Sequence, residues 1–183
     1  MARERGGWAP LPFCGPRRRT VAFLEKMSLW VNRVLLGIAG FFLAGMILLT
    51  CANIFMRLVW LPLRGTFELM GYFGAVATAF ALGYTQIRKG HIAVDIVVQR
   101  FSAGTRRALR GVNALLCMAF FALAAWRIGA YAMNLHETGE VTETLRIVYY
   151  PFTWAVSVGC AALSLVFLVE LLKSFLEKGD SEP

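Results

Sequence analysis

Four long apolar stretches place the strongest limit on how this chain can fold. They cover about residues 34–55, 69–87, 112–133 and 147–169, and only the third contains a charged residue, Arg127. A helix needs about 20 apolar residues to cross a hydrocarbon core, so each stretch is long enough to span a membrane. A spanning β-barrel would require alternating polar and apolar residues, which these stretches lack. The pattern therefore predicts an all-α integral membrane protein with four transmembrane helices.

The composition agrees with this class. Hydrophobic residues make up 58% of the 183 residues, and the mean hydropathy is +0.60, which would leave a soluble domain of this size coated with apolar surface. We expect a membrane domain over 28–175, a flexible basic cytoplasmic tail over 1–27 and a short cytoplasmic tail over 176–183. The first apolar run is too long and begins too late for a cleavable signal peptide, and no small-residue cleavage site follows it.

The positive charges predict the orientation. Fifteen of the nineteen Lys and Arg residues lie before the first span, between spans two and three, or after the fourth span. Because basic loops near span ends stay on the cytoplasmic side, both termini are predicted to be cytoplasmic. The net charge of +8 is thus a topology signal that also favours anionic lipid, and nucleic-acid binding is not needed to explain it.

A short polar loop after the second span holds the residues most suited to recognition. It contains Arg88, Gly90, His91 and Asp95. His91 and Asp95 are four residues apart and would share a helix face, where a local hydrogen bond that orders the loop is more probable than proton transfer. The Val- and Ile-rich segment over 92–101 predicts an interfacial amphipathic helix between spans two and three.

Small residues recur at four-residue spacing along the second span. They are Gly71, Ala75, Ala79 and Gly83. Such a stripe lets another helix approach closely, and packing inside this chain and packing on a partner subunit are about equally compatible with it.

Three polar residues lie near the other end of the first two spans. Asn53 and Arg57 are at helical spacing at the end of span one, and Glu68 lies just before the small-residue stripe. Glu68 could stabilise a helix N-terminus through the backbone dipole, or it could pair with a cation on a neighbouring helix, for which Arg57 is a plausible partner.

Catalytic and cofactor chemistry find no support in the sequence. Cys14, Cys51, Cys117 and Cys160 lack paired spacing, and no nucleophile elbow, phosphate loop or metal motif is present. We predict no enzyme activity, no metal and no cofactor, although a bound phospholipid is compatible with the composition.

The residues carry a resemblance to a known family. The chain resembles the small membrane subunit of the tripartite ATP-independent periplasmic (TRAP) transporters, the DctQ-like or Q-subunit family. The resemblance rests above all on the motif Arg88-x-Gly90-His91-Ile92-x-Val94-Asp95, and also on Asn53-x-x-x-Arg57, Glu68 and the glycine- and alanine-rich second span. The likeness covers roughly residues 34–172, and it includes a proline at the start of the last span.

The resemblance implies a multi-pass subunit of a bacterial or archaeal inner membrane. It would act as a static scaffold for a much larger membrane subunit, which holds substrate and sodium and moves as an elevator. A periplasmic substrate-binding protein would deliver the substrate, a C4-dicarboxylate, sialic acid or related carboxylate. On this interpretation Asn53, Arg57, Glu68 and the small-residue stripe are subunit-contact candidates, while Arg88, Gly90, His91 and Asp95 order the cytoplasmic loop.

Two other classes remain open from the residues alone. A self-contained multidrug-type transporter would work as a homodimer through a carboxylate well inside a span, whereas Glu68 sits at an edge. A membrane anchor of a redox complex would need inward-facing histidines within the spans, whereas His91 and His136 lie outside them.

Overall fold

A computed structural model of the chain describes residues 16–59, 64–88 and 103–179. These residues form four helices, which we number in chain order: α1 (Pro16–Leu58), α2 (Thr66–Ile87), α3 (Ala103–Thr138) and α4 (Tyr150–Gly179). Each contains a segment long and apolar enough to cross a membrane, which confirms the predicted all-α class with four spans. The predicted interfacial helix at 92–101 lies outside the described residues.

Glycine and proline mark several helix ends. Gly65 precedes α2 with φ 81°, and Gly139 follows α3 with φ 65°, a backbone region that side chains with a Cβ rarely adopt. The Gly139 amide donates to the Leu135 carbonyl at 3.1 Å and closes the last turn of α3. Pro151 stands in the first turn of α4, where its missing N–H removes no helical hydrogen bond.

The first helix begins much earlier than the apolar stretch. Residues 16–27 were expected in a flexible tail, but they belong to α1, which runs for 43 residues, or about 64 Å. Val21 in this segment is buried, and Glu25 pairs with Lys173 of α4 at 2.9 Å. Residues 16–27 are therefore helical because one of their faces packs on the bundle, which a count of apolar residues does not detect.

The fourth helix is the centre of the bundle. It contacts α1, α2 and α3, and α1 also packs on α2. In the most apolar part of α4, 39% of the residues are buried, against 6% in α3, which packs mainly on α4. Val76 and Phe80 of α2 meet Leu35 and Ala39 of α1 in the core. The bundle thus leaves most of α1 and α3 uncovered.

Small and hydroxyl residues set the closest helix contacts. A Cβ at Gly159 of α4 would lie 2.8 Å from the Ala79 Cβ and 2.9 Å from the Ala79 carbonyl oxygen of α2. Ser157 donates to the Ala125 carbonyl at 2.8 Å, which ties α4 to α3. Such close backbone approach and hydroxyl bonding are typical of helix packing in membranes.

Candidate functional site

Glu68 joins the start of α2 to the loop between α3 and α4. Its carboxylate accepts the Thr144 amide at 2.8 Å and the Leu145 amide at 3.3 Å. The Leu145 side chain also packs against Gly65, where a Cβ would overlap it. We call this contact the Glu68 junction (Gly65, Glu68, Thr144 and Leu145). Two hydrogen bonds from backbone amides to a charged acceptor fix the α3–α4 loop to the start of α2.

The loop itself is closed by its own hydrogen bonds. Thr142 donates its amide to the Ile147 carbonyl at 3.0 Å, and its hydroxyl accepts the Ile147 amide at 3.3 Å. Arg146 adopts φ 52°, a left-handed conformation that is uncommon for a non-glycine residue. The loop therefore presents a defined turn at this end of the bundle.

Tyr149 is the last residue of this loop, and it joins the loop to aromatic side chains of α2 and α4. Its hydroxyl donates to the Glu140 carboxylate at 2.8 Å, and this bond raises the pKa of Tyr149 well above its usual value. Its ring stacks on Tyr72 at 5.7 Å, and Tyr72 stacks on Phe152 at 5.4 Å. Aromatic stacking from the loop through α2 to α4 thus supports the Glu68 junction.

Arg57 does not take the role that the sequence suggested for it. It lies exposed in the last turn of α1, and no ion pair joins it to Glu68 in the described part of the chain. The two loop amides occupy the Glu68 carboxylate instead. Within the described residues Glu68 is therefore bonded to the α3–α4 loop, and the alternative pairing with Arg57 is not seen there.

The small-residue stripe of α2 divides between two environments. Ala79 and Gly83 are buried against α4 and α1, whereas Gly71 and Ala75 are exposed. An α-helix turns about 100° per residue, so residues four apart drift by about 40° at each step. The stripe therefore rotates from an open face near Gly71 to the bundle interior at Gly83.

A second polar region lies at the opposite end of the bundle, and the sequence reasoning missed it. Lys173 of α4 pairs with Glu25 of α1 at 2.9 Å, and the side chain of Gln86 donates to Glu170 at 3.1 Å. These four side chains form what we call the terminal polar cluster. The sequence signal was Gln86 at the end of the second apolar stretch together with Glu170 and Lys173 just after the fourth.

Asn32 lies next to this cluster and contacts α2 closely. It is 1% exposed, and its side-chain amide donates to the Ser28 carbonyl at 2.9 Å. Its Oδ1 atom has no conventional hydrogen-bond partner and lies against Gly83, where a Cβ would overlap it. A Cα–H of Gly83 points at this oxygen, a weak contact common between closely packed helices. Asn53, by contrast, is half-buried near the far end of α1.

The polar loop after α2 is described only at its first residue. Arg88 caps α2 by donating its amide to the Tyr84 carbonyl at 3.1 Å, and its side chain donates to the Tyr84 hydroxyl at 3.1 Å. Its guanidinium group also lies 5.4 Å from the Tyr84 ring centre, within cation–π distance. Gly90, His91 and Asp95 lie outside the described residues. Arg88 is thus the point at which that loop is tied to the helix.

Metal ligands do not converge in the described ranges. No group of three or more His, Cys, Asp or Glu side chains that could hold a metal ion occurs there. His136 instead packs edge-on against Tyr150 at 5.0 Å. The arrangement of Glu68 and the terminal polar cluster is suited to holding helices and loops in place.

Comparison with known proteins adds one match. The sequence model of a family described as "Tripartite ATP-independent periplasmic transporters, DctQ component" matches residues 46–177, more than two thirds of the chain. The matched range begins within α1 and ends within α4, so it includes the Glu68 junction and most of the terminal polar cluster. Searches of curated proteins and of solved structures gave no match.

Proposed function

The chain belongs to the DctQ component family of TRAP transporters, and on that premise we propose that it is a static scaffold for a large, elevator-type membrane subunit. In this role it enlarges the membrane anchor against which the transport domain of its partner moves. The transporter takes up organic acids, with a C4-dicarboxylate, sialic acid or related carboxylate as the substrate class and sodium as the coupling ion. The family match is the observation that carries this proposal.

The uncovered helix faces are consistent with a scaffold. Large apolar side chains stand out along α3, with Phe120 66% exposed and Trp126 70% exposed. The bundle buries little of α1 or α3, so both helices are free to meet lipid or another membrane subunit. Helices with such open apolar faces are suited to extend the membrane-embedded surface of a larger protein.

The polar groups of the spans favour a scaffold over a transport pathway. Ser157 and Ser164 are hydrogen-bonded to carbonyls of α3, and Thr50 bonds to the Met46 carbonyl in its own helix. A path for a hydrated anion and its coupling ions would need unpaired polar groups lining a cavity. In the described spans Ser157 and Ser164 instead hold α4 against α3.

Contact with the large subunit is assigned to the open part of α2 and the adjoining end of α1. Gly71 and Ala75 are exposed there, and a Cβ at Gly71 would meet no atom within 4 Å. Asn53 and Arg57 lie at the end of α1 and complete the proposed contact. Ala79 and Gly83 are not part of it, because they pack inside this chain.

The remaining roles follow the same proposal. The protein lies in the bacterial inner membrane with both termini in the cytoplasm, and the complex includes a periplasmic substrate-binding protein. The Glu68 junction then faces the periplasm and holds the α3–α4 loop in shape. The polar loop after α2 lies in the cytoplasm, where its residues Arg88, Gly90, His91 and Asp95 order the segment between spans two and three.

The test is co-purification from native membranes. The full chain carries a C-terminal tag, is extracted in mild detergent, and its stoichiometric partners are identified by mass spectrometry. We expect one large polytopic membrane protein, and deletion of the gene for this chain should abolish uptake of the carboxylate while the large subunit is still made.

A different composition would reject the proposal. A homodimer without a large partner would favour the self-contained transporter, and redox subunits with bound haem would favour the membrane anchor. Retention of full uptake without this chain would also contradict a scaffold role.

A further inference from the structure

The N-terminal third of α1 carries an exposed face whose chemistry points to one kind of partner. Phe23 and Trp30 are 67% and 68% exposed, and Met27 and Val34 are also exposed. At about 100° per residue, these four side chains fall within about 60° of one another on the helix. They form what we call the outer stripe (Phe23, Met27, Trp30 and Val34).

Two cations border this stripe on the same side. Lys26 and Arg33 are exposed and lie seven residues apart, so they share a line along the helix beside Phe23 and Trp30. Arg17, Arg18 and Arg19 precede them in the same helix. An apolar and aromatic stripe flanked by basic residues is the pattern of helices that lie in a membrane interface.

The bundle fixes which face of this segment stays open. Glu25 pairs with Lys173, and Ser28 and Asn32 are buried, all on the side opposite the outer stripe. These contacts hold the segment against the bundle, with Glu25 bonded to α4 and Asn32 packed on Gly83 of α2, so the stripe and its cations face outward. The face is therefore open to lipid, to another protein or to water.

The length of α1 brings this face to the headgroup layer. The span candidate Val21–Leu58 has 38 residues, or about 57 Å, whereas a bilayer with its headgroups is about 40–45 Å thick. A helix longer than the bilayer tilts, and tilting lowers one side of its end onto the membrane surface. Exposed Phe41 and Leu48 continue the outer stripe into the apolar span, so one face is continuous from hydrocarbon to headgroup.

The charges decide between lipid and protein. Lys26 and Arg33 have no acidic partner on their own face among the described residues. Burying such cations in a protein contact would be costly unless the partner supplied matching acids, whereas the phosphate groups of an anionic leaflet attract basic residues near the end of a span. We propose that Lys26, Arg33 and the outer stripe form a binding surface for anionic phospholipid. This proposal stands independently of the transport function.

The test compares phosphatidylglycerol with phosphatidylcholine added to the full chain in detergent. Lipid retained after purification and the midpoint of thermal unfolding are measured for the wild type and for K26Q/R33Q. We expect the wild type to prefer phosphatidylglycerol and the variant to bind it roughly 30-fold more weakly, because each basic residue contributes about a fivefold factor. R64Q/R127Q is the matched control, since it removes two exposed cations that lie outside the outer stripe and its flanking residues.

A charge-conserving variant and a crosslinking experiment complete the test. K26R/R33K should retain the preference for phosphatidylglycerol, and loss of that preference in this variant would contradict a charge-based surface. Equal binding of both lipids by the wild type, or unchanged binding by K26Q/R33Q, would overturn the proposal. A photo-crosslinker placed at Trp30 should label lipid in native membranes, and a dominant protein adduct would show that a subunit covers this face instead.

Discussion

At the scale of single residues, Glu68 shows how context decides the role of a carboxylate. Its position at the start of α2 suits the helix dipole, yet its two oxygens are occupied by the Thr144 and Leu145 amides. Those amides belong to a loop more than seventy residues away. The residue thus stabilises a tertiary contact as well as its own helix.

Removing the charge of Glu68 should loosen that loop. In Glu68→Gln we expect faster hydrogen exchange at the Thr144 and Leu145 amides, because a neutral amide is a weaker acceptor than a carboxylate. The measurement is hydrogen–deuterium exchange of the purified chain in detergent. Glu143→Gln, an exposed acid of the same loop, and Arg57→Gln should leave these amides unchanged. Equal exchange in Glu68→Gln and the wild type would show that the junction does not hold the loop.

Gly159 offers a second residue-scale prediction. In Gly159→Ala the new methyl group would lie within 3 Å of the Ala79 backbone, so α2 and α4 must separate. We expect a loss of about 1–3 kcal/mol, as for other overpacked cores. Gly71→Ala is the control, because no atom lies within 4 Å of its new Cβ and alanine favours a helix. The measurement is the midpoint of thermal unfolding of each variant in detergent. Equal midpoints for Gly159→Ala and Gly71→Ala would contradict the close α2–α4 contact.

At the scale of helices, α1 is the element that departs most from its sequence pattern. Its apolar stretch predicts a span at 34–55, whereas the helix extends from Pro16 to Leu58. The extra turns are held by the buried Ser28 and Asn32 and by the Glu25–Lys173 pair. The helix is therefore long because α4 supports it beyond the apolar core.

The pair between α1 and α4 can be tested by exchanging its charges. Glu25→Lys and Lys173→Glu should each lower the unfolding midpoint, because like charges would then face each other. The double variant should recover most of the loss, with a coupling of about 1 kcal/mol for a partly exposed pair. Glu143→Lys serves as the control for a change of net charge at an exposed site. Simple addition of the two single effects in the double variant would argue against the pair.

At the scale of the whole molecule, the bundle has a filled centre and open flanks. Helix α4 contacts the other three helices and is the most buried of them, while α1, α3 and the first half of α2 keep larger exposed faces. A membrane supplies no hydrophobic driving force between helices, so close packing and specific contacts choose which faces meet a partner. The open small residues of α2 and the cationic face of α1 are two such surfaces with different partners.

A bulky residue on the open part of α2 should separate assembly from folding. Gly71→Leu adds its side chain where this chain has free space, so the isolated subunit should keep its unfolding midpoint. Its recovery of the large subunit in co-purification should fall about tenfold, because close helix approach would be blocked. Gly40→Leu is the matched control, since it also faces free space but lies outside the proposed contact. Normal assembly of Gly71→Leu would place the partner on another face.

The number, type and approximate position of the spans follow from the order of the residues alone, and the Arg88 to Asp95 motif with its neighbours indicates the family. These features depend on residues close together in the chain, because crossing a membrane needs a contiguous apolar run and a motif is read locally. The membrane class and the matched family agree with that prediction. The contacts proposed for Asn53, Arg57, Gly71 and Ala75 remain predictions.

Which polar groups meet depends on the folded arrangement of the helices. Glu68 binds a distant loop rather than Arg57. Glu25, which was expected in a flexible tail, pairs with Lys173 in the bundle. The small-residue stripe of α2 is exposed at Gly71 and buried in the core at Gly83. Each outcome depends on how the helices cross and on where a loop returns, and spacing along the chain does not contain that information. The 3.6-residue turn of the helix makes residues four apart drift, so burial along one stripe differs once the neighbouring helices are in place.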